Sequence, residues 1–574
     1  MNRRSMIKGA AASGLLAGGL FPVRLLDAYA EQVLPQARIF DPRRFGARGD
    51  GSSKDTIAIQ QAIDECSQAG GGTVAVFSGT YLTGTIVLKS NVNLQLEAGA
   101  TLLGSTNPAD YVLPESAKQV FKGPITKHLI FALQAQNISI TGAGVIDGQS
   151  SHFLVRNGRP DPASQDMWKE VAGFNWKLTN SFSPMVELAE CTNVHIEGVT
   201  LQNAVGWTLR PTGCDTVVIR GIRIRNPIYT PNGDGIDPTG CQNVLISHCD
   251  ISTGDDAICI KAFDPYGGDR NPSNPYWDYG AIKGSRNVVV ENCILNTCCN
   301  AFKIGVETPG DYENIIFRNS IIACGDGPLN ERAISGIALE MTEGGSIRDV
   351  TISNIQMKNV RTPIFIRMQH SYKHKELNAT GSLSGIKISG VSATGAVLTS
   401  SITGIPGMPV DNVTLDAIHI ETIEPGQTQW VTSSIGEADH GYPEARMMGR
   451  LPSFGLYCRH ASSIHLNDVH FHTATADPRP CLAFEDVSRL SMTQIDATGN
   501  AGAQQFMTLK NVQKAVVQNC VAAENVNLYA AISGPQSNGI ALQGNDLRRA
   551  KAPVANTEDV PAGVVQIKKG LAGH

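Results

Sequence analysis

The sequence has little net charge, few aromatic residues and no long apolar run beyond its first residues. Its 574 residues carry a formal net charge of −5, 17% of them are charged and 6% are aromatic. Because no basic stripe is present, nucleic acid is not expected as a partner. Past the N-terminus, no stretch reaches the ~20 consecutive apolar residues that a membrane-spanning helix needs.

The N-terminus has the features of an export signal. Arg3 and Arg4 precede a short apolar stretch at residues 9–21, and Ala28-Tyr29-Ala30 fits the small-x-small pattern of a cleavage site. Paired arginines before such a stretch are typical of a twin-arginine signal. We predict that residues 1–30 are a signal peptide and that the mature protein is periplasmic or extracellular, with no membrane attachment. An uncleaved anchor is the alternative.

The 13 cysteines suggest disulfides at first, because exported proteins often contain them. A large repeat fold needs no covalent staples, however, and the twin-arginine route carries proteins that fold in a reducing compartment. Several cysteines also lie in strand-like runs, where a thiol behaves as a small apolar side chain: Cys249, Cys259, Cys293 and Cys520. We expect mostly core thiols, while an individual bridge stays possible. No zinc-type Cys/His spacing is present, and we expect no cofactor.

A short phrase recurs along most of the chain: a polar residue, alternating apolar residues, then a turn. Alternation with period two marks strands, and recurrence at a longer interval marks a repeat architecture. Examples are Asn137-Ile-Ser-Ile, Asn193-Val-His-Ile, Asn243-Val-Leu-Ile, Asn287-Val-Val-Val and Asn314-Ile-Ile-Phe. Each repeat carries two further short strands, so the pattern predicts an all-β fold, a three-sided parallel β-helix. A β-sandwich is less favoured, because it would show shorter, even spacing and hairpin turns.

The two ends of the repeat region differ in composition. Residues 55–69 have helical apolar spacing and precede three glycines, which predicts an N-terminal capping helix. After residue 544 the chain becomes polar and contains Pro553 and Pro561. We therefore predict one β-helix domain over residues 31–544, a C-terminal tail or cover over residues 545–574, and a monomer.

Aligning the third strand of each repeat gives the side chains of one sheet. One inward position is taken by Ile236, Ile258, Phe302, Ile337 and Ile364. Two residues earlier stands a column of polar residues: Asp234, Asp256, Asn300, Ser335 and Thr362. Gly233 and Gly254 would allow a turn at this strand entrance, so we expect both Asp255 and Asp256 to face solvent. The outward column past the core contains Lys261, Gly305, Glu340 and Arg367.

Three carboxyl groups, those of Asp234, Asp255 and Asp256, therefore fall within reach of one another. Glycoside hydrolysis needs one carboxylic acid and one carboxylate, and crowded like charges raise one pKa so that a protonated aspartate can persist. Aspartates also populate the turns of repeat folds for backbone hydrogen bonding. Two aspartate phrases one coil apart are a stronger signal than one, and the family resemblance that follows is what favours catalysis over that structural role.

The sequence resembles glycoside hydrolase family 28, the polygalacturonase family, from about Asp41 to Met368. The matching phrases are Phe45-Gly-Ala-Arg-Gly-Asp-Gly, Gly142-Ala-Gly-Val-Ile-Asp-Gly, Trp207, Pro231-Asn-Gly-Asp-Gly-Ile-Asp-Pro and Ser252-Thr-Gly-Asp-Asp-Ala-Ile-Cys-Ile-Lys. The resemblance implies a right-handed single-stranded parallel β-helix, a pectin-lyase-like solenoid, and inverting hydrolysis without a metal. It implies Asp255 as general acid, and Asp234 and Asp256 as the residues that activate water. Stacking by one coil looks tighter than the ~6.5–9.5 Å usual for inverting enzymes.

Two motifs of that family are missing. Its Gly-His-Gly would fall on Cys299-Asn300-Ala301, and its Arg-Ile-Lys on Ala338-Leu339-Glu340. In the family, that histidine tunes the aspartates and the cations hold a galacturonate carboxylate, so ordinary polygalacturonate is in doubt as the substrate. Other side chains could bind substrate instead: Lys303, Lys261, Asn300, Asn232, Arg367 and Glu307, with Arg332 and His370 as further candidates. Glu340 and Arg367 could equally form a surface ion pair between adjacent coils.

An insert over residues 262–286 follows the Asp-Asp strand and contains Phe263, Tyr266, Tyr276, Trp277 and Tyr279. It could form a flap that stacks on sugar rings, or a loop that packs its own aromatic residues. The leading hypothesis is thus a hydrolase acting on a pectin-type or related acidic plant cell-wall polysaccharide. A β-helix polysaccharide lyase and a non-catalytic glycan-binding β-helix are the alternatives.

Overall fold

The computed structural model describes residues 38–115, 127–158, 168–180, 182–262, 283–373, 375, 380–499, 502–522 and 526–568. The predicted signal, residues 1–30, and the aromatic residues of the insert at 262–286 lie outside the described residues. Within them, the chain winds into a right-handed parallel β-helix with three ladders of strands. No helix of the described part is long and apolar enough to cross a membrane.

Sheet 1 starts each coil, and its strands pair in parallel along the whole solenoid. Its strands are Ile39–Phe40, Gly72–Val76, Val92–Leu96, Gln136–Gly142, Thr192–Glu197, Asp215–Arg220, Gln242–Ser247, Ser285–Glu291, Asn538–Gln543 and Val565–Lys568. Sheet 2 follows with Asp50–Lys54, Gly79–Thr83, Ala100–Gly104, Val145–Asp147, Thr200–Gln202, Arg223–Arg225, Asp250–Thr253 and Ile294–Thr297. Four long strands continue both sheets: Tyr312–Ala323, Ser346–Lys358, Ser382–Ala396 and Val410–Thr422.

Sheet 3 carries the predicted site. Its strands are Ile86–Val87, Ile130–Leu133, Val186–Ala189, Leu209–Thr212, Ile258–Ile260, Asn300–Ile304, Ser335–Met341, Thr362–Met368, Ser400–Thr403, Val526–Ser533 and Ala550–Asn556. Leu456–Thr473 and Leu482–Thr498 run through all three sheets, and Gln505–Gln518 runs through sheets 3 and 1. A small antiparallel pair, Leu154–Arg156 with Trp176–Leu178, lies outside the coil.

The recurring asparagines stack on one another at the start of sheet 1. Asn137 donates from Nδ2 to Oδ1 of Asn91 at 2.8 Å, and Asn193 donates to Asn137 in the same way at 2.9 Å. Asn287 and Asn314 continue this arrangement at 3.0 Å each. These residues have φ between 54° and 65°, a left-handed conformation that asparagine tolerates better than most residues. The repeated Asn therefore turns the chain and bonds to the coil before it.

Both ends of the solenoid are covered. Helix α1, Thr56–Gln68, packs its buried Ile59, Ala62 and Ile63 on the first coils, which confirms the predicted capping helix. A second helix, Thr428–Val431, and short 3-10 helices lie in the connections: Pro42–Phe45, Pro108–Asp110, Ser150–His152, Ala172–Asn175 and Leu329–Glu331. Of the predicted tail or cover after residue 544, the described part is not a free tail, because Ala550–Asn556 and Val565–Lys568 extend sheets 3 and 1 by one more coil; the boundary at residue 544 stays a prediction.

All 13 cysteines are buried free thiols. Cys249 and Cys293 sit in the core with exposed fractions of 1% each, as the alternating pattern predicts for a small apolar side chain. The sequence left open whether an individual disulfide forms, and the described structure contains none.

Candidate active site

The strand register on sheet 3 matches the column read from the sequence. Ile236 bridges to Ile258, Ile258 pairs with Phe302, and Phe302 pairs with Ile337. Asn300 pairs with Ser335 two residues earlier, where the polar column was predicted. Because adjacent parallel strands lie ~4.8 Å apart, the aspartates before Ile236 and Ile258 meet at one edge of this sheet.

Two glycines allow the chain to pass this edge closely. A Cβ on Gly254 would lie 2.4 Å from the carbonyl oxygen of Thr230, and a Cβ on Gly235 would lie 2.3 Å from that of Ala257. No side chain fits at such distances. Gly233 and Gly254 have no positive φ, so the reason for glycine is close backbone approach rather than the conformational freedom that the sequence suggested.

Asp255 and Asp256 are neighbours in very different surroundings. Asp256 is 3% exposed, and its Oδ1 accepts hydrogen bonds from Nδ2 of Asn300 at 2.8 Å and from the Asn300 backbone N–H at 3.0 Å. Its Oδ2 lies 3.2 Å from Nζ of Lys303. Burial opposes the charge of Asp256, but Lys303 and Lys261, with the Asn300 bond, hold its pKa below the usual value. This carboxyl therefore stays ionised.

Asp255 has fewer charged donors around it. Its Oδ1 accepts a hydrogen bond from the Asp256 backbone N–H at 2.9 Å, and the side chain is only half-buried. Burial, followed by the negative charge of Asp256, raises the pKa of Asp255 to about 6. The expectation that both carboxyls face solvent therefore holds for Asp255, whereas Asp256 is turned into the protein.

Lys303 joins two carboxylates in this buried layer. Its Nζ lies 3.2 Å from Asp256 Oδ2 and 3.4 Å from Glu340 Oε2, and the lysine is 1% exposed. Burial, despite the attraction of Lys303, raises the pKa of Glu340 to about 8. The idea of a surface ion pair between Glu340 and Arg367 is wrong: both are buried, and Glu340 faces Lys303.

Asp234 and Asp237 follow one another closely in the chain, and both lie near a second lysine, Lys261. Nζ of Lys261 lies 4.0 Å from Asp234 Oδ2 and 4.0 Å from Asp237 Oδ1. Burial and then the charges of Asp237 and Asp255 raise the pKa of Asp234 well above its usual range. Burial likewise raises the pKa of Asp237 to about 8, although Lys261 opposes the shift.

Lys261 also anchors Glu307. The Lys261 Nζ to Glu307 Oε2 distance is 3.3 Å, and Lys373 contacts the other oxygen at 2.9 Å. Burial opposes the charge of Glu307, but these two lysines hold its pKa well below the usual value. The Lys261 ammonium also lies over the Trp207 ring, 4.6 Å from its centroid.

Carboxyl groups outnumber ammonium groups in this layer. Six carboxyls share three ammonium groups: Asp234, Asp237, Asp255, Asp256, Glu307 and Glu340 against Lys261, Lys303 and Lys373. Such crowding with little water leaves some carboxyls protonated. A site of this kind can supply an acid and a base side by side.

The remaining predicted residues lie at different depths. Asn232 is exposed on the loop before Asp234, with φ at 50°. Arg367 is 1% exposed, and its guanidinium donates to the backbone oxygens of Gly404 and Glu437 at 3.0 and 2.7 Å, so it supports a loop. Arg332 bonds to the Gly327 carbonyl, and His370 stacks on His440 at 5.4 Å. Asn232 stays the open candidate for substrate contact among these.

One group of side chains has the spacing of a metal site. Ligand atoms of Asp255, Asp256 and Cys299 lie within 4.8 Å of one another. The same two carboxyls are those that acid/base chemistry requires, and the thiol is a donor to them. The expectation that no cofactor is needed stays a prediction.

Comparison with known proteins decides the family. The sequence profile described as glycosyl hydrolases family 28 matches residues 66–435, more than half of the chain. This chain belongs to family 28. A "Probable polygalacturonase" of Vitis vinifera is 27% identical over 396 residues, which is 66% of this chain and 73% of that protein. An "Exo-poly-alpha-D-galacturonosidase" of Dickeya chrysanthemi is 27% identical over 404 residues, which is 62% of this chain and 64% of that protein.

Solved structures agree on the fold. The exopolygalacturonase of Thermotoga maritima superposes with a TM-score of 0.55 and 24% identity, covering 78% of this chain and 96% of that one. The family 28 exopolygalacturonase of Yersinia enterocolitica gives a TM-score of 0.54 and 21% identity, over 80% and 78% of the two chains. Membership of family 28 makes the protein an O-glycosyl hydrolase.

The structure shows what stands where the family motifs are missing. Asn300, at the place of the histidine, donates two hydrogen bonds to Asp256. Glu340, at the place of a lysine, faces Lys303, which comes from the preceding coil. The positive charge beside Glu340 is therefore that of Lys303, a residue one strand away.

Sequence reasoning missed two members of the site. Asp237 lies in the phrase Pro231-Asn-Gly-Asp-Gly-Ile-Asp-Pro and follows the inward Ile236, so strict alternation already placed it outward. Cys299 precedes Asn300, and its sulfur lies within 4.8 Å of carboxyl oxygens of both Asp255 and Asp256. Reading most cysteines as core thiols concealed this position beside the carboxyls.

Proposed function

We propose that the protein hydrolyses O-glycosidic bonds of a pectin-type or related acidic plant cell-wall polysaccharide, with inversion at the anomeric carbon. One observation carries this proposal: two adjacent carboxyls, Asp255 and Asp256, are driven to opposite protonation states by their contacts. Pairs of carboxyls whose environments separate their pKa values are the acid and base of glycosidases. The names of the relatives, polygalacturonases and an exo-poly-alpha-D-galacturonosidase, support the substrate class.

In the proposed reaction, Asp255 gives its proton to the glycosidic oxygen as the bond from that oxygen to the anomeric carbon breaks. A water molecule attacks the same carbon from the opposite face, and the carboxylate of Asp256 takes the proton that the water loses. Asp234, one coil away, holds that water by hydrogen bonding. Lys303 keeps Asp256 ionised, since its Nζ lies 3.2 Å from Oδ2. Asp256 then releases its proton to solvent and Asp255 takes one up from solvent, so that atoms and charge balance over the cycle.

The lyase alternative is not favoured. A lyase needs a neutral base at the scissile centre, but both nearby lysines are held as cations. Burial opposes their charge, yet the carboxylates around Lys261 and Lys303 raise the pKa of each well above its usual value. The non-catalytic alternative is not favoured either, because the chain belongs to a hydrolase family.

The test is a panel of homogalacturonan, rhamnogalacturonan, xylogalacturonan and neutral glycans, followed by proton NMR during the first turnovers. We expect hydrolysis of at least one pectic glycan, with the β-anomer appearing first from an α-linked substrate. The panel spans several sugars because the ammonium group of Lys303 already contacts Asp256 and Glu340. Its charge therefore does not by itself identify a galacturonate carboxylate as the group that the site binds. An unsaturated, ultraviolet-absorbing product would contradict hydrolysis, and the α-anomer would contradict inversion.

The N-terminal sequence indicates where the protein acts, and a cell-wall polysaccharide as substrate agrees with a place outside the cytoplasm. Residues 1–30, with the Arg3-Arg4 pair, support export by a twin-arginine-type signal. We expect the mature chain in the periplasm or medium, and expect Arg3→Lys combined with Arg4→Lys to retain the precursor inside the cell. Export of that double variant at the normal level would contradict this route.

A further inference from the structure

A long connection crosses the outer face of sheet 3 beside the catalytic carboxyls. It comprises residues 423–453, between Val410–Thr422 and Leu456–Thr473, and we call it the crossing segment. Its first half is anchored to the coils that follow the site. Gln369 donates from Nε2 to the carbonyl of Gly441 at 2.6 Å, and Nδ1 of His440 lies 3.0 Å from the carbonyl of Ser371.

The second half of the crossing segment covers the outward side chains of those coils. Ala445 packs in a cluster with Ala338 and Phe365, which are 0% exposed although they point away from the core. They occupy the same row of sheet 3 as Lys303, one and two coils further on. The open face of the sheet therefore ends at the coil of Lys303.

The far side of the crossing segment reaches the loop before the first coils of the site. Arg446 donates from Nη1 to the carbonyl of Lys169, and its guanidinium lies over the ring of Phe174, 5.0 Å from the centroid. Cys298 and Cys299 pack in the cluster of Ala445. The segment is thus fixed at several points on both sides of Asp255.

Between these anchors lies an aromatic ring that is accessible to solvent. Tyr442 is 46% exposed, and its ring meets that of Tyr372 edge-on at 5.0 Å. The ring centroid lies 5.7 Å from Nζ of Lys303, which contacts Asp256 at 3.2 Å. The contacts with Tyr372 and Lys303 cover one part of the ring, and the exposed part lies next to the buried charges. Aromatic rings combine an apolar face with a fixed geometry that suits the apolar faces of sugars.

We propose that Tyr442 is a substrate-binding residue that stacks on a sugar ring next to the cleaved bond, and that the crossing segment closes the binding groove there. A polysaccharide then enters with one end against the segment and is cut near that end. The inference rests on the proposed function for its substrate. It adds that the bound polysaccharide can extend only away from the crossing segment.

The test compares Tyr442→Ala and Tyr442→Phe with the parent enzyme on the pectic glycan that it hydrolyses. We expect Tyr442→Ala to raise KM about 5- to 10-fold, the loss of one aromatic stacking contact, with kcat changed less than about 2-fold. The phenylalanine variant keeps the ring and should keep KM. Val516→Ala trims another exposed apolar side chain, 38% exposed on sheet 1, and should change neither constant. The thermal midpoints should agree, since Tyr442 is exposed.

Product length tests closure of the groove. We expect a single short product from the first turnovers, whereas an early ladder of many lengths would overturn the closed end. An unchanged KM in Tyr442→Ala would overturn the stacking. Binding of pectic oligosaccharides of two to six residues, measured by calorimetry on Asp255→Asn with and without Tyr442→Ala, tests the contact independently of turnover. Equal affinities of the two variants would overturn the stacking contact, even where no hydrolysis is found. If the parent enzyme hydrolyses the glycan with inversion while these affinities are equal, the proposed function stands and only the role of Tyr442 is lost.

Discussion

One outward column of sheet 3 behaves differently at its two ends. Glu340 pairs in register with Arg367, and the column continues through Thr403 and Arg459 to Glu485 and Lys510. Near the site, Glu340 is 0% exposed and faces a buried lysine. At the far end, Glu485 and Lys510 pair at 2.8 Å with side chains 24% and 55% exposed.

The coil itself is the same at both ends. Phe302 and Ile304 point inward near the site, as Phe484 and Leu509 do at the far end. What differs is the cover: residues 168–175 and 423–453 lie over the site. Charges under such a cover lose water, and their pKa values separate, whereas an exposed ion pair contributes little to stability. The chemistry of this solenoid therefore comes from what covers the column.

The largest effect is expected from removing the proposed acid. Asp255→Asn keeps the shape of the side chain but cannot give a proton, so kcat should fall on the order of 10³-fold or more. The amide still accepts the hydrogen bond from the Asp256 backbone N–H, and the thermal midpoint should stay within a few degrees. Reducing-end release on a responsive glycan measures the loss. Activity close to that of the parent would remove Asp255 from the mechanism.

A smaller loss is expected from Lys303, which contacts Glu340 at the buried end of the column. Lys303→Met leaves Asp256 and Glu340 without their shared ammonium, which contacts them at 3.2 and 3.4 Å. Removing one partner of a buried ion pair costs about 3 kcal/mol or more, and a protonated Asp256 cannot act as base. We expect kcat to fall about 10- to 100-fold and the urea midpoint to drop.

The smallest effect is expected at the exposed end. Lys510→Met removes the same kind of charge from the exposed end of the column that contains Glu340, and should change stability by less than about 1 kcal/mol. Activity should equal that of the parent, because Lys510 lies several coils from Asp255. Equal losses for Lys303→Met and Lys510→Met in urea unfolding would show that cover does not separate the two ends.

Much of this structure could be predicted from the sequence, because strand alternation and coil stacking are local and repetitive. The inward column, the polar column with Asp234, Asp256 and Asn300, and the capping helix follow from periodicity alone. Family membership was visible in the aspartate phrases. The roles of the site residues remain proposals even so.

The parts that failed depend on distant contacts. Arg367 was taken as a substrate ligand or a surface ion, yet its guanidinium binds the carbonyl of Glu437, 70 residues away. The sequence predicted that Asp256 faces solvent. Residue spacing alone does not show that Lys303 and Asn300 contact its carboxyl group and bury it. The last coil was taken for a tail or cover because the chain after residue 544 contains two prolines and strands such as Ala550–Asn556 have no alternating buried face.

The pH dependence of kcat/KM tests the opposite protonation of Asp255 and Asp256 most directly. Asp255 must hold a proton to act, and its pKa is raised to about 6, so activity should fall as pH rises through about 6. Asp256 must be ionised, and its pKa is lowered from 3.8, so activity should persist below pH 4. We predict a bell-shaped profile with an alkaline limb near pH 6. An alkaline limb near pH 4, or full activity up to pH 8, would contradict the assignment of Asp255 as the acid.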